Sequence, residues 1–347
     1  MLKKSISILL AVIMIMGLMV GCSQKPASSE TTSNDAKAKE KQEQIVMKVG
    51  HSQPTTTPRH KSFLEFEKIV EERSNGRIQV EIYPSGQLGN EPEMIEAVKM
   101  GSIQGVRAGR FDDVATELLV YTMPFLFDDV ESFQKAARGE VGQKISKAAE
   151  KNNIVILATG DAGGFRNITN NVRPVQCPED LKGLKIRTPG VESIIKTMEA
   201  LGANPVSVPY VETYMALKTG VADGQENPFV NIESMKFNEV QKYLTVINYQ
   251  VHPDPFYVSK SWFDTLSKED QELLTKAAED MMVISDKMMI EGNKEAFEKI
   301  KDSVEITELT PEQIEEFRKL AKPVYDYFIN EKKYFSQDLI DEIKAIK

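Results

Sequence analysis

The spacing of hydrophobic and polar residues changes several times along the chain, and each change marks an element. Ile8 to Val20 is an unbroken apolar run, ILLAVIMIMGLMV, behind Lys3 and Lys4. Ser23 to Gln44 then contains no Val, Ile, Leu, Met or aromatic residue. Such a stretch cannot bury enough apolar surface to offset the entropy of ordering it. From Ile45 the pattern alternates. Ile45–Val49 is rich in strand formers, and Phe63, Phe66 and Val70 then mark a helix face ending near Asn75-Gly76. Ile78, Val80 and Ile82 alternate with Gln79 and Glu81, the period of a half-buried strand over Arg77–Tyr83. Met94, Ile95 and Val98 predict a helix. Ile103–Val106, Ile154–Ala158, Leu184–Ile186, Pro205–Val208 and Leu244–Tyr249 predict strands. Strands alternating with helices predict an α/β fold with mainly parallel sheets.

The longest helical signal starts at Ser267, an N-cap with Asp270 three residues on in a weak capping box. Leu273, Ala277, Met281, Ile284 and Met288 continue it. Carried to Ser303 it measures about 53 Å, longer than one small domain. Two helices broken at Gly292 fit the same pattern. Thr310-Pro311-Glu312-Gln313 opens a further helix, on which Tyr325, Tyr327 and Phe328 read as core.

Composition narrows the function. The 347 residues carry 43 Lys+Arg against 52 Asp+Glu, a net charge of −9, with three His and two Cys. An acidic chain is a poor nucleic-acid binder, which needs a basic face. Two cysteines and three scattered histidines do not build a zinc site. The front of the chain reads as an address, because two lysines before a short apolar run are the order of a secretory leader. Thirteen helical residues rise only about 20 Å, short of the roughly 30 Å needed to span a bilayer. The run ends in Met19-Val20-Gly21-Cys22, which resembles the bacterial lipobox; the resemblance implies cleavage before Cys22 and lipidation of its thiol. Met19 stands where lipoboxes usually carry Leu. Ser23–Gln44 then predicts a tether of roughly 25 Å as a coil. Cys177 reads as a small buried apolar residue.

Catalytic signatures are absent from the sequence: there is no G-x-S-x-G elbow, Walker loop or H-E-x-x-H. Gly160, Gly163 and Gly164 predict a glycine-rich turn without nucleotide spacing. His51, His60 and His252 read as surface or satisfied histidines, and Asp223 with Glu226 is a carboxylate pair of unspecific spacing. Arg187 ends the strand LKIR and is followed by Thr-Pro-Gly. An arginine at a strand's carboxyl end faces the crevice where open α/β sheets bind ligands, and its planar fork fits a carboxylate. Position alone leaves a ligand contact and a solvated charge equally open.

The block from Gly163 to Pro228 resembles that of the TRAP-transporter extracytoplasmic solute-binding proteins of the dicarboxylate-binding type. It carries Lys185-Ile186-Arg187-Thr188-Pro189, Leu201-Gly202-Ala203, Glu212 with Tyr214, and Asp223-Gly224-Gln225-Glu226-Asn227-Pro228. The run from Phe66 to Glu91, ending GRIQVEIYPSGQLGNE, and Met123-Pro124-Phe125-Leu126-Phe127 add to it. The resemblance covers residues 46–330 and is specific as a combination.

It implies a two-lobed, periplasmic-binding-protein-like α/β fold with a long helix crossing both lobes, which favours a continuous helix after Ser267. It also implies a receptor that is not an enzyme, takes no cofactor, closes over an organic acid and delivers it to a TRAP membrane permease. In such proteins the arginine matching Arg187 binds the carboxylate, that matching Asn227 assists, and that matching Arg166 organises the site. Tyr210 matches an aromatic beside the ligand, and Arg107 is a candidate contact at its far end, with a surface role equally open. The domains expected are a leader at 1–21, lipidated Cys22 and tether at 22–44, and two lobes. One lobe takes 45–163 with 253–291, and the other 164–252 with 292–347. The expected protein is a monomer held to the outer face of the cell membrane through Cys22. An ABC-type binding lipoprotein and a secreted hydrolase are the alternatives.

Overall fold

The computed structural model describes residues 44–346, so the leader, Cys22 and nearly all of the tether lie outside the described residues. Eleven strands among the described residues form two sheets. The first has the order β2 (Ile78–Tyr83), β1 (Ile45–His51), β3 (Gly105–Arg107), β10 (Val251–Ser259), β4 (Ile154–Phe165). The second runs β11 (Glu305–Glu308), β9 (Tyr243–Val246), β5 (Asn167–Asn170), β8 (Gly224–Asn227), β6 (Lys185–Thr188), β7 (Asn204–Ser207). The sheets are mixed rather than mainly parallel. β10 runs antiparallel to both β3 and β4, and β5 runs antiparallel to both β8 and β9. Antiparallel strands arise where the chain returns between the sheets, and those returns are not coded in the periodicity of any one strand.

The glycine-rich stretch is not a turn. β4 continues through Gly160, Gly163 and Gly164 to Phe165, and only Arg166 separates it from β5 in the other sheet. Gly163 has φ +126°, and a Cβ there would lie 2.5 Å from Val230 Cγ1, so the strand passes this point only as glycine. Asp161 Oδ1 accepts from the Gly163 and Gly164 amides at 2.9 and 2.6 Å, holding the crossing strand in place.

Ser267 caps a single continuous helix, Lys268–Ile300, 33 residues and about 50 Å long. Its cap differs from the expected box. Ser267 Oγ accepts from the Asp270 amide at 3.1 Å, and the Asp270 carboxylate accepts from the Ser267 hydroxyl at 2.8 Å and from Arg77 Nη1 at 2.9 Å rather than from the Ser267 amide. The helix does not break at Gly292; a Cβ there would meet Pro58 Cγ at 3.1 Å, so the residue permits close approach of helix Pro58–Arg73. Leu274, Ala277, Met281 and Met282 pack beside Phe63, Phe66 and Phe256 at the first sheet. Further along, Phe297 meets Phe229 at 4.8 Å between ring centroids, and Ile300 joins Leu244 of the second sheet. The helix thus crosses both halves. Thr310 and Gln313 make a reciprocal capping box on Pro311–Asp326, where Phe328, just beyond, is buried. Tyr325 and Tyr327 are half-buried and donate to the Pro124 carbonyl and to Glu192.

Candidate functional site

The site forms where the two sheets face each other. β6 and β8 are parallel neighbours, so Arg187, near the carboxyl end of one, and Asn227, last in the other, come to the same edge. A narrow cavity of about 30 Å³ is lined there by Arg166, Arg187, Tyr210, Asn227 and Asn231 from the second sheet's side. Gln53, Arg59, Glu91 and His252 line it from the first. An adjoining pocket of about 100 Å³ shares Glu91, Arg187, Pro189 and Tyr210 and adds Arg110.

Arg187 is 1% exposed. Its Nε and Nη2 both donate to the Val208 carbonyl, at 2.9 and 2.7 Å, while Nη1 is buried without a partner. Burial pulls its pKa down to about 10, helped by Arg166 and opposed by Glu226. Tyr210 lies beside it, with the guanidinium carbon 5.9 Å from the ring centre, and its hydroxyl donates to Gln53 Oε1 at 3.2 Å. Burial raises the Tyr210 hydroxyl to about 12, so it is a neutral donor at any physiological pH.

Arg166 differs. Its Nε and Nη2 grip the Glu226 carboxylate, Nη2 at 2.8 Å, and Nη2 also reaches the Glu226 carbonyl at 2.6 Å. Burial disfavours the Arg166 charge, but Glu226 more than reverses that and holds it above its ordinary pKa. Tyr249 donates to the same carboxylate at 2.6 Å. Glu226 is therefore Arg166's counter-ion, while Asp223 Oδ2 accepts from the Lys185 amide at 2.8 Å, so the two acids do separate structural work. The Asn227 amide is engaged on both sides: Nδ2 donates to Gln225 Oε1 at 2.5 Å, and Oδ1 accepts from Asn231 Nδ2 at 3.2 Å.

Arg107 departs from both sequence readings. It is fully buried, neither at the surface nor lining the cavity. Its Nε pairs with Asp254 Oδ2 at 2.7 Å, and its terminal nitrogens donate to Ser62 and Ser285 at 2.9 and 3.0 Å. β3 directs it beneath the first sheet toward β10, a placement set by a strand pairing that the sequence does not reveal.

Several lining residues carried no sequence signal. Arg59 closes the first sheet's side, paired with Asp254 at 2.8 and 3.0 Å and 3.5 Å from Glu91. Glu91 was visible at the end of the GQLGNE run, and Asn231 follows Asn227 by one helical turn. His252 is buried with both ring nitrogens bonded: Nε2 donates to the Gly109 carbonyl at 2.7 Å, which leaves Nδ1 to accept from Gln250. Burial, with Arg166 second, drives its pKa well below the ordinary value, so it stays uncharged. His51 behaves alike, lowered to about 2 by burial and by Arg59. Cys177 is half-buried rather than buried, its amide and thiol both facing Asp180 Oδ2. Among the described residues no cluster of three or more His, Cys, Asp or Glu could hold a metal.

The family described as bacterial extracellular solute-binding protein, family 7, matches residues 49–332. The chain belongs to that family. It is 34% identical over 289 residues to the C4-dicarboxylate-binding periplasmic protein DctP of Rhodobacter capsulatus, covering 82% of this chain and 86% of the other. Among solved structures, a TRAP periplasmic solute-binding protein of Sulfurospirillum deleyianum with bound succinate aligns with TM-score 0.82. The identity is 31%, over 88% of this chain and 100% of that one. One of Polaromonas bound to D-erythronate aligns with TM-score 0.83 and 30% identity, over 88% and 99%. Family 7 proteins are extracytoplasmic TRAP receptors rather than enzymes, which sets the hydrolase and ABC-type alternatives aside.

Proposed function

We propose that this receptor binds a small organic acid by clamping its carboxylate on Arg187 and hands it to a TRAP membrane permease. One observation carries the assignment: Nη1 of a buried guanidinium is left without a partner at the wall of the narrow cavity between the sheets. An unpaired buried charge is costly, and an anionic guest removes the cost. Arg166, locked to Glu226, positions the site, and Asn227 and Tyr210 complete the wall. Global acidity does not oppose the guest, because charges in a desolvated cleft are screened far less than distant surface ones.

The lobes are taken as 45–163 with 253–291 and 164–252 with 292–347, hinged at Arg166 and along the long helix. Contacts across the cleft support a closing motion: Arg110 Nη1 donates to the Pro189 carbonyl at 3.2 Å and the Glu192 amide to Asp112 Oδ2 at 3.0 Å. A cavity of 150 Å³ holds a guest the size of benzene, so the cleft must part to admit an acid of that size. Lys3, Lys4, the apolar run and Gly21-Cys22 support anchoring to the bilayer through a lipidated Cys22. Arg187→Ala should weaken acid binding by calorimetry more than tenfold, about 1.4 kcal/mol or more. Equal affinity in wild type and variant refutes the assignment.

A further inference from the structure

We infer that the cavity selects an acid with a single carboxylate and hydroxyl groups at its far end, and that Glu91 makes the selection. This rests on the carboxylate reading of Arg187. The charges around the cavity pair off except for one. Arg166 is neutralised by Glu226. Arg59 and Arg107 share Asp254, with Glu91 3.5 Å from Arg59 as the second acid of that group. Arg110, at the rim, has Asp113 at 3.8 Å. Arg187 alone has no carboxylate partner, so the walls offer one uncompensated positive charge and hence accept one negative charge.

The far wall offers no free cation, because Arg59, the one that lines it, is already held by Asp254 and Glu91. Glu91 lines both the cavity and the adjoining pocket, as Arg187 does. It opens helix Glu91–Lys99. Oε1 accepts from Ser52 Oγ at 2.6 Å and from Arg59, whereas Oε2 accepts only from the Gly109 amide, at 3.2 Å. An ionised carboxyl has about four acceptor sites, so Oε2 keeps capacity for one more donor. A second ligand carboxylate brings no proton to donate and meets a like charge; a ligand hydroxyl donates to Oε2. Gln53 and uncharged His252, the other polar residues on that wall beside the paired Arg59, add no cation. Glu91 thus attracts polyhydroxy monoacids and repels diacids with the same oxygen.

The test is calorimetry of the full-length protein with acids matched in length: butanoate, succinate and 2,3,4-trihydroxybutanoate, then adipate and gluconate. The hydroxylated monoacid should bind at least about tenfold tighter than the diacid at one or both lengths. Glu91→Gln should shrink that ratio to under about threefold by weakening the hydroxy acid and strengthening the diacid. A diacid preferred at both lengths, or a ratio untouched in Glu91→Gln, overturns the inference. Should Glu91→Gln not fold, the wild-type ratio decides alone. Loss of all binding in Arg187→Ala keeps the carboxylate reading standing whichever way the ratio falls. Failure of all five acids to bind wild type overturns both.

Discussion

Two groups of buried arginines, one under each sheet, have opposite electrostatics. Beneath the first sheet Arg59 and Arg107 converge on Asp254, and each guanidinium has a carboxylate at 2.7–3.0 Å. At the ends of β6 and β8, Arg187 has only a carbonyl for company and a nitrogen to spare. Both groups are removed from water, so exposure does not tell them apart; the presence of a counter-ion does. The first group is charge-paired without a guest and holds strands β3 and β10 to helix Pro58–Arg73. In the second, Arg166 has Glu226 but Arg187 has no carboxylate partner among the described residues.

The contrast is tested most severely by taking away the shared acid. Asp254→Asn leaves two buried guanidinia short of charge and should lower the unfolding free energy by about 3–5 kcal/mol, read by urea denaturation. A loss below about 1 kcal/mol would mean the group is not the structural unit described. The corresponding change on the other side has the opposite sign. Arg187→Met keeps the volume and removes an unpaired charge, so stability should hold or rise by up to about 2 kcal/mol while acid binding disappears. Destabilisation like that of Asp254→Asn would make the two groups equivalent.

A smaller effect probes a buried acid that lacks a full partner. Asp112 is raised to about 6, chiefly by burial, which outweighs the Glu192 amide it accepts from. Its folded pKa lies above the unfolded value of 3.8, so the folded state binds the proton more tightly. That contribution is therefore complete below pH 3.8 and is lost as pH rises through 6. Stability should decline across that window by about 2–3 kcal/mol from this group, and Asp112→Asn should flatten the slope. An unchanged slope in the variant, followed by thermal melts from pH 4 to 7, would rule Asp112 out as the source.

Much of the framework was readable because it is local. Ser267 and Thr310 each cap the helix that follows them, and capping depends on residues three apart. Period-two alternation marked β2 and short strand-forming runs marked β1, β3, β4, β6, β7 and β9, whereas β5, β8, β10 and β11 carried no such signal. Gly292 misled because a glycine reads as a break in one dimension, while its purpose here is contact with Pro58 across 234 residues of chain. The glycine-rich stretch misled likewise: Gly163 is required by Val230, not by a turn. Arg107 and Arg187 look alike as single arginines at strand ends. Only the pairing of β3 with β10 gives one of them Asp254, and nothing in either strand foretells it.

The sequence by itself determined where helices begin, which segments alternate, the α/β class and, through short motifs, the family. These depend on neighbours a few positions apart, whose geometry the backbone dictates. Tertiary structure decided which buried charges cancel. An ion pair joins residues as far apart as Arg59 and Asp254, and its energy depends on distance and desolvation that exist only once the sheets have met. On the proposed reading, the receptor's specificity is held in that residue of uncancelled charge.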